Sequence, residues 1–244
     1  MYVRLPHEPA MGSLNRFLAL VVATAVVAAG SLRLDAQTPA RSSTVRRLVL
    51  PVTGTTGLPG SYWRTALGNG GPMPEFERLL VVGADGVVLG EANGDEHHVL
   101  LPEELYRKLC DGAVRATLVH NHPGGVSLSG TDLGQLGKPG VDRVIAVSPD
   151  GSVFEASAGE KFDPATFSEL YARVLSDVTE RVNREARRDG VSLAPLYPNL
   201  CHLVAMALDR SGVIHYRMTP SLKLRVELDR YRHVLEWTVD KYER

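Results

Sequence analysis

The chain has 244 residues, of which 44% are hydrophobic, and its formal net charge at pH 7 is -1. This length fits one modest catalytic domain with appendages, and the apolar content is sufficient for a hydrophobic core. The balanced charge gives no electrostatic footprint for nucleic acid, so we expect no nucleic-acid partner.

The amino terminus carries an uncharged apolar run. Phe17 to Leu32 contains no charged residue, Arg16 precedes it and Arg33 follows it. This pattern is typical of a secretory signal with a charged start and an apolar middle. The run is short for a membrane span of about 20 apolar residues, but a thinned bilayer can accept it. We therefore expect residues 1–36 to be a signal peptide or membrane anchor, and the protein to be exported (periplasmic or extracellular) or membrane-anchored. A start at Met11 or later would instead leave it cytoplasmic.

Residues 37–75 are predicted to be a linker and amino-terminal segment. Their first part is polar, and Val45 to Val52 is predicted to form a strand. The stretch from Gly54 to Gly71 is rich in Gly and Thr and is predicted to be a loop.

The central region, residues 76–160, is predicted to be a mixed α/β domain. Its apolar runs are short and are separated by Gly, Pro and Asp, which is typical of strands and turns. An amphipathic helix is predicted from Pro102 to Asp111, with Cys110 as a buried thiol. The predicted strands are Glu77 to Val82, Val87 to Leu89, Val114 to Val119, Val141 to Val147 and Ser152 to Ala156.

A His-Asn-His-Pro sequence begins where the third of these strands ends. Because side chains on a strand alternate between faces, His120 and His122 point the same way, whereas Asn121 points to the other face. Two ring nitrogens on one face can share a cation. Pro123 and the two glycines after it end the strand and turn the chain back across the site.

Ser129 and Asp132 follow within ten residues of the second histidine. Their spacing is also a helix-capping pattern, and capping alone is one explanation for both residues. Glycines soon after them shorten the helix that they begin. Two imidazoles and one carboxylate leave a fourth tetrahedral position for water, which is typical of catalytic zinc. We therefore predict that His120, His122 and Asp132 bind Zn²⁺.

The other histidines and the two cysteines offer no comparable spacing. His97 and His98 are adjacent, so on an extended segment they face opposite ways and are predicted to lie on the surface. Cys110 and Cys201 are too few for a Cys-based zinc motif, and a disulfide between them is an alternative only for an exported chain. The histidines without ligand spacing are His202, His215 and His233.

At the paired histidines and the Ser-x-x-Asp sequence, the chain resembles the JAMM/MPN+ metallopeptidases, whose signature is an upstream Glu, then His-x-His, then Ser-x-x-Asp. The His-Asn-His-Pro-Gly-Gly wording is most similar to RadC-like and related prokaryotic JAB-domain proteins. The spacer between His122 and Ser129 is shorter than the common family form, and Ser127 offers a competing register that loses the gap to Asp132. The resemblance implies an α/β fold in which a mixed, cytidine-deaminase-like β-sheet is sandwiched by helices.

The resemblance also implies a glutamate at the start of an upstream strand. Glu77 lies eight residues before Asp85 of the following turn, which matches the RadC-like placement, and Glu75 is the alternative if the register slips. In the implied reaction, Glu77 is the general base and later the general acid, and Ser129 donates a hydrogen bond to the oxyanion.

The reaction implied is hydrolysis of a peptide or isopeptide bond by metal-activated water. The expected partner is then a protein or peptide substrate, which in the family is often a ubiquitin-like conjugate. A catalytically inactive or RadC-like binding or scaffold module is the alternative function.

The carboxyl-terminal third, residues 161–244, is predicted to be an accessory region with a helical and hairpin extension. Ala165 to Arg188 has helical apolar spacing, and a terminal helix begins at about Ser221. Cys201 to Leu208 and Val213 to Met218 are predicted to form the hairpin. This region is expected to recognise substrate, to form a homodimer or to cap the core.

Overall fold

The structure is a computed structural model that describes residues 60–68, 71–190, 197–232, 235–236 and 242. The predicted signal or anchor segment (residues 1–36), the polar linker after it and the predicted strand Val45 to Val52 lie outside the described residues. Within the described ranges, no helix has both the length and the apolar character needed to cross a bilayer.

Six strands form one mixed sheet in the order β2-β1-β3-β4-β5-β6. β3 and β4 run parallel, and all other neighbours are antiparallel. All five strands predicted in the central region are present, so the predicted mixed α/β class is confirmed. The strands are β1 (Arg78–Gly83), β2 (Val88–Asn93), β3 (Ala116–Asn121), β4 (Val141–Val147), β5 (Val153–Ala158) and β6 (Ile214–Thr219).

Helices pack on both faces of this sheet. The helices of the described residues are α1 (Gly60–Leu67), α2 (Glu103–Cys110), α3 (Gly130–Gly134), α4 (Phe167–Asp189), α5 (Leu200–Arg210) and α6 (Leu222–Arg230). The predicted helices near residues 102–111, 165–188 and after Ser221 are confirmed. Two short 3-10 turns are present in addition, Gln135–Gly137 and Tyr197–Asn199.

The larger core lies on the face covered by α4 and α5. There Leu118 and Phe154 of the sheet belong to the same buried cluster as Val178 of α4 and Leu203 of α5. The residues of β3 that alternate with Leu118 face the opposite side, as the pleat requires.

A smaller core forms on that opposite face beneath α1. Trp63 and Leu67 of α1 are four residues apart, so they lie on one face of the helix, and they pack with Val119 and Ile145 of the sheet. The predicted loop from Gly54 to Gly71 is therefore wrong over the span of α1, because this apolar pair gives the helix a face to bury.

The predicted hairpin of Cys201 to Leu208 with Val213 to Met218 is also wrong in its first half. Residues 200–210 form α5, whose sides are almost all buried, so the segment lacks the amphipathic period that separates a helix from a buried strand. The second half is the strand β6, which pairs antiparallel with β5. Residues 161–244 thus contribute an edge strand to the same sheet as residues 76–160.

The two cysteines are both free thiols, and each is half-buried. Cys110 was predicted to be a buried thiol, and it is only half-buried because it is the last residue of α2. Neither thiol pairs with the other in this structure.

Replacing Trp63 with Ala tests the packing of the smaller core. Trp63 is 1% exposed, so Trp63→Ala is expected to lower the free energy of unfolding by about 3–5 kcal/mol through the cavity that it leaves. Urea denaturation measures this change. The exposed neighbour Arg64 provides the control, since Arg64→Ala should change stability by less than about 0.5 kcal/mol. Equal effects of the two substitutions would contradict the packing described here.

Candidate metal centre

The pleat of β3 places the two motif histidines on one face of the sheet. His120 lies opposite Leu79 of β1 and on the same face as Leu118, so its ring enters the larger core, and His122 follows two residues later. Both side chains are buried, at 4% and 5% exposure. The prediction that the two imidazoles share a face is confirmed.

A tight turn returns the chain over these histidines. The Gly125 N–H donates to the His122 carbonyl at 2.9 Å, and Gly125 has φ of 73°, which favours glycine. The His122 ring is fixed by a 2.9 Å contact from its Nδ1 to the Val126 carbonyl. Because a carbonyl only accepts, Nδ1 carries the proton and Nε2 is left facing the other ligands.

A capping box then brings the carboxylate into the same space. Ser129 is the N-cap of α3: its Oγ accepts from the Asp132 N–H, and Asp132 Oδ2 accepts from the Ser129 N–H at 2.7 Å. These reciprocal bonds fix the Asp132 side chain at the start of the helix. The expected helix shortening also occurs, since α3 ends at Gly134.

The three predicted ligands converge. His120 Nε2 lies 2.9 Å from His122 Nε2 and 3.1 Å from Asp132 Oδ1, and His122 Nε2 lies 3.4 Å from Asp132 Oδ2. One ligand atom from each residue lies within 4.8 Å of the others. Tetrahedral ligands with bonds of about 2.1 Å are about 3.4 Å apart, so small shifts would fit the three atoms around one ion. This group could therefore hold a metal ion.

The electrostatics of the group are those of a buried ion pair. Burial opposes ionisation of Asp132, but His120 and His122 hold its pKa well below the usual range. Burial likewise opposes protonation of His122, but Asp132 outweighs it through a hydrogen bond and its charge, and with Val126 and Glu77 raises the pKa of His122 to about 9. Without a metal, a proton on His122 thus balances the carboxylate.

Glu77 lies beside this group. It immediately precedes β1, and extending the β1–β3 register from Leu79↔His120 places Glu77 opposite His122. It is 9% exposed. Burial raises the pKa of Glu77 to about 7, with His122 opposing the rise and the charges of Asp132 and Asp95 adding to it. Glu75, the alternative, is exposed.

Asn121 ties the segment that carries Glu77 to the strand that carries the histidines. Its side chain faces away from the histidines, is fully buried, and accepts from the Arg78 N–H at 2.7 Å. Its Nδ2 donates to the Phe76 carbonyl at 2.8 Å and to the Pro74 carbonyl at 3.2 Å. The backbone on both sides of Glu77 is therefore bound by the residue between the two histidines.

The backbone of Glu77 is fixed a second time by the loop after β2. The Glu77 N–H donates to the Asp95 carbonyl at 2.6 Å, and the Gly94 N–H donates to the Glu77 carbonyl at 2.8 Å. Glu77 therefore has little freedom to leave the site.

The hydroxyl of Ser129 is bonded to the carboxylate of Asp132 and is not a free hydrogen-bond donor. Its hydroxyl donates to Asp132 Oδ2 at 2.7 Å. The capping explanation considered for Ser129 and Asp132 is thus realised, and it coexists with the convergence of Asp132 on the histidines.

The remaining candidates lie elsewhere. His97 and His98 are exposed, as predicted, and their backbone N–H groups donate to Asp95 Oδ1. His202 is buried and contacts the Tyr216 hydroxyl, a pairing that no local spacing in the sequence signals. His233 lies outside the described residues.

Comparison of the chain with protein-family models, with curated proteins and with solved structures finds no match in any of the three.

Metal affinity is expected to depend on pH. In the metal-free protein, below a pKa of about 9, His122 is an imidazolium that carries a second proton, on Nε2, in addition to the one on Nδ1. A metal that binds Nε2 must displace this second proton. Affinity for Zn²⁺ should therefore rise about tenfold per unit between pH 6 and pH 8. Competition with a chromogenic chelator, corrected for the chelator's own titration, measures this slope. An affinity that stays constant over this range would contradict the proposed protonation of His122.

Proposed function

We propose that this protein is a zinc-dependent hydrolase of amide bonds, in which His120, His122 and Asp132 hold the ion and Glu77 moves protons. The single observation that carries the proposal is the convergence of both Nε2 atoms and the Asp132 carboxylate beside a buried glutamate. Binding a metal through these three residues does not require the second carboxylate, that of Glu77, whereas hydrolysis requires a group that accepts a proton from water.

Zinc is favoured by the donor set. Two imidazoles and one carboxylate with a fourth position left for solvent are the ligands of catalytic zinc, while calcium and magnesium prefer oxygen ligands. When bound, the ion makes hydroxide available near neutral pH and acts as a Lewis acid on a carbonyl oxygen.

Glu77 is proposed as the proton carrier. A general base works best when its pKa is near the working pH, and burial gives Glu77 a pKa of about 7. Glu77 accepts a proton from the attacking water and returns it to the leaving amine. Asn121 and the loop after β2 both hold the Glu77 backbone through hydrogen bonds, and this limits how far the carboxylate can move.

Ser129 is proposed to orient Asp132, to which its hydroxyl donates. Its predicted hydrogen bond to an oxyanion requires the hydroxyl to turn from Asp132 towards the substrate. Both roles use the same side chain in succession.

The proposed protein type is a JAMM/MPN+ metallopeptidase, most similar to the RadC-like branch. Support comes from the order Glu77, His-x-His, Ser-x-x-Asp in the sequence. It comes also from the convergence of His120, His122 and Asp132, with Ser129 bonded to Asp132 and Glu77 close enough to interact with His122. The proposed substrate is a peptide or an isopeptide to lysine, including ubiquitin-like conjugates.

A binding or scaffold module is the second candidate. One observation favours it, namely that the Ser129 hydroxyl is engaged by Asp132 rather than directed at a substrate position. Such a module would bind metal through the same three ligands without cleaving amides.

Two substitutions separate these functions. His122→Ala is expected to abolish stoichiometric zinc binding because it removes one of three ligands. Glu77→Gln is expected to retain about one zinc per chain but to lower hydrolysis by about 10²–10⁴-fold, because the amide cannot carry the proton. Metal analysis and cleavage of a panel of linear and lysine-linked peptides measure the two effects.

Glu75→Gln is the matched control, because Glu75 is exposed and two residues from Glu77. It should keep both zinc and activity. A Glu77→Gln variant that cleaves as fast as the parent removes Glu77 from the mechanism, and a zinc-loaded parent that cleaves no member of the panel favours the binding module.

A further inference from the structure

A buried polar chain reaches the metal loop from the carboxyl-terminal part of the protein. Tyr216 of β6 directs its hydroxyl between two partners: Ser127 Oγ at 2.8 Å and His202 Nδ1 of α5 at 2.9 Å. Ser127 and His202 are buried, at 2% and 4% exposure. None of these residues is a predicted ligand or catalytic group.

This series of hydrogen bonds ends at Ser127, next to the carbonyl group that orients His122. Ser127 directly follows Val126, whose carbonyl accepts the Nδ1–H of His122. Histidine ligands of metals are usually oriented by such an acceptor on the second nitrogen. Fixing the Ser127 side chain therefore fixes the neighbouring carbonyl that sets the tautomer and rotation of His122.

The other end of the chain is anchored in the core. The Tyr216 N–H donates to Asp209 Oδ1 at 2.9 Å, and Tyr216 lies opposite Ala156 of β5, in the buried register of the sheet. Burial lowers the pKa of His202 to about 4, so the neutral ring offers one donor and one acceptor nitrogen. Either direction of the hydrogen bonds leaves all three side chains paired.

Helix capping does not explain this chain. The cap of α3 uses Ser129 and Asp132 alone, whereas Ser127 lies two residues earlier and bonds to a strand 89 residues away in sequence. An apolar trio of the same shape would fill this space without unpaired polar groups. Three hydrogen-bonded polar side chains, those of Ser127 and His202 buried and that of Tyr216 half-buried, therefore point to a requirement for a fixed loop position.

We propose that Ser127, Tyr216 and His202 are positioning residues that hold the His122 ring in the orientation required to bind the metal. The proposal rests on the proposed metal site, and it assigns to the carboxyl-terminal region a part in building that site. Tyr216 acts through Ser127 and the Val126 carbonyl and does not touch the metal or the substrate.

Tyr216→Phe tests the role, since it keeps the ring and deletes the hydroxyl. The full chain is titrated with Zn²⁺ against a chelator and with Co²⁺ alone, whose visible absorption reports ligand geometry. We expect Zn²⁺ affinity to fall by about tenfold or more and the Co²⁺ bands to shift. Ser127→Ala should reproduce both effects, and the double variant should lose no more than the larger single loss, because the residues act in series.

Val178→Ala is the control for general destabilisation. Val178 of α4 is fully buried, and its side chain has no polar group that could take part in the hydrogen bonds of Ser127, Tyr216 and His202. It should lower the stability while leaving Zn²⁺ affinity and the Co²⁺ spectrum as in the parent. If Tyr216→Phe does not fold, Ser127→Ala decides by the same readouts.

The outcomes distinguish this inference from the proposed function. A parent that binds metal while Tyr216→Phe and Ser127→Ala bind it equally well, with unchanged spectra, overturns the positioning role alone. A parent that binds no metal overturns both. Equal losses of affinity in Val178→Ala and Tyr216→Phe would reduce the effect to stability and also overturn the positioning role.

Discussion

The alternation of side chains along β3 is the constraint on which the site depends. It sends His120 and His122 into the larger core and Asn121 to the reverse side, and the antiparallel pairing with β1 sets Glu77 across from His122. A register slip of one residue would send every one of these side chains to the wrong face. Leu118 packs in the larger core and Val119 in the smaller one, so the same slip would exchange them and disrupt the packing of both cores.

Burial shifts the pKa values of the side chains in the site and requires that its charged groups be paired. A carboxylate and two imidazoles inside a core are tolerated only when they are paired, and in the metal-free protein a proton on His122 and the carboxylate of Asp132 supply that pairing. A divalent cation can replace the proton. The same burial raises the pKa of Glu77 to about 7, so the burial that requires Asp132 to be paired also gives the neighbouring carboxyl group a pKa near neutral pH.

The sequence predicted the convergence of His120, His122 and Asp132 because the features that bring them together are local. Each of these features acts over a few residues: the strand period, the glycines after Pro123, and the capping pattern at Ser129. The position of Glu77 before its turn is likewise a local feature. The sequence could not predict α5, whose burial on nearly every side removes the helical period. Nor could it pair Ser127 with Tyr216, since that contact joins distant segments through a sheet edge that no local pattern defines. Nor could the sequence predict that Asn121 holds the backbone on both sides of Glu77, because these hydrogen bonds depend on the pairing of β1 with β3.

Diffraction data collected at the zinc absorption edge from crystals grown with Zn²⁺ would locate any ion bound by the three side chains. We expect one anomalous peak within about 2.0–2.2 Å of His120 Nε2, His122 Nε2 and a carboxylate oxygen of Asp132. Fully loaded crystals with no peak among these three atoms, or with zinc only at the exposed pair His97 and His98, would contradict this expectation.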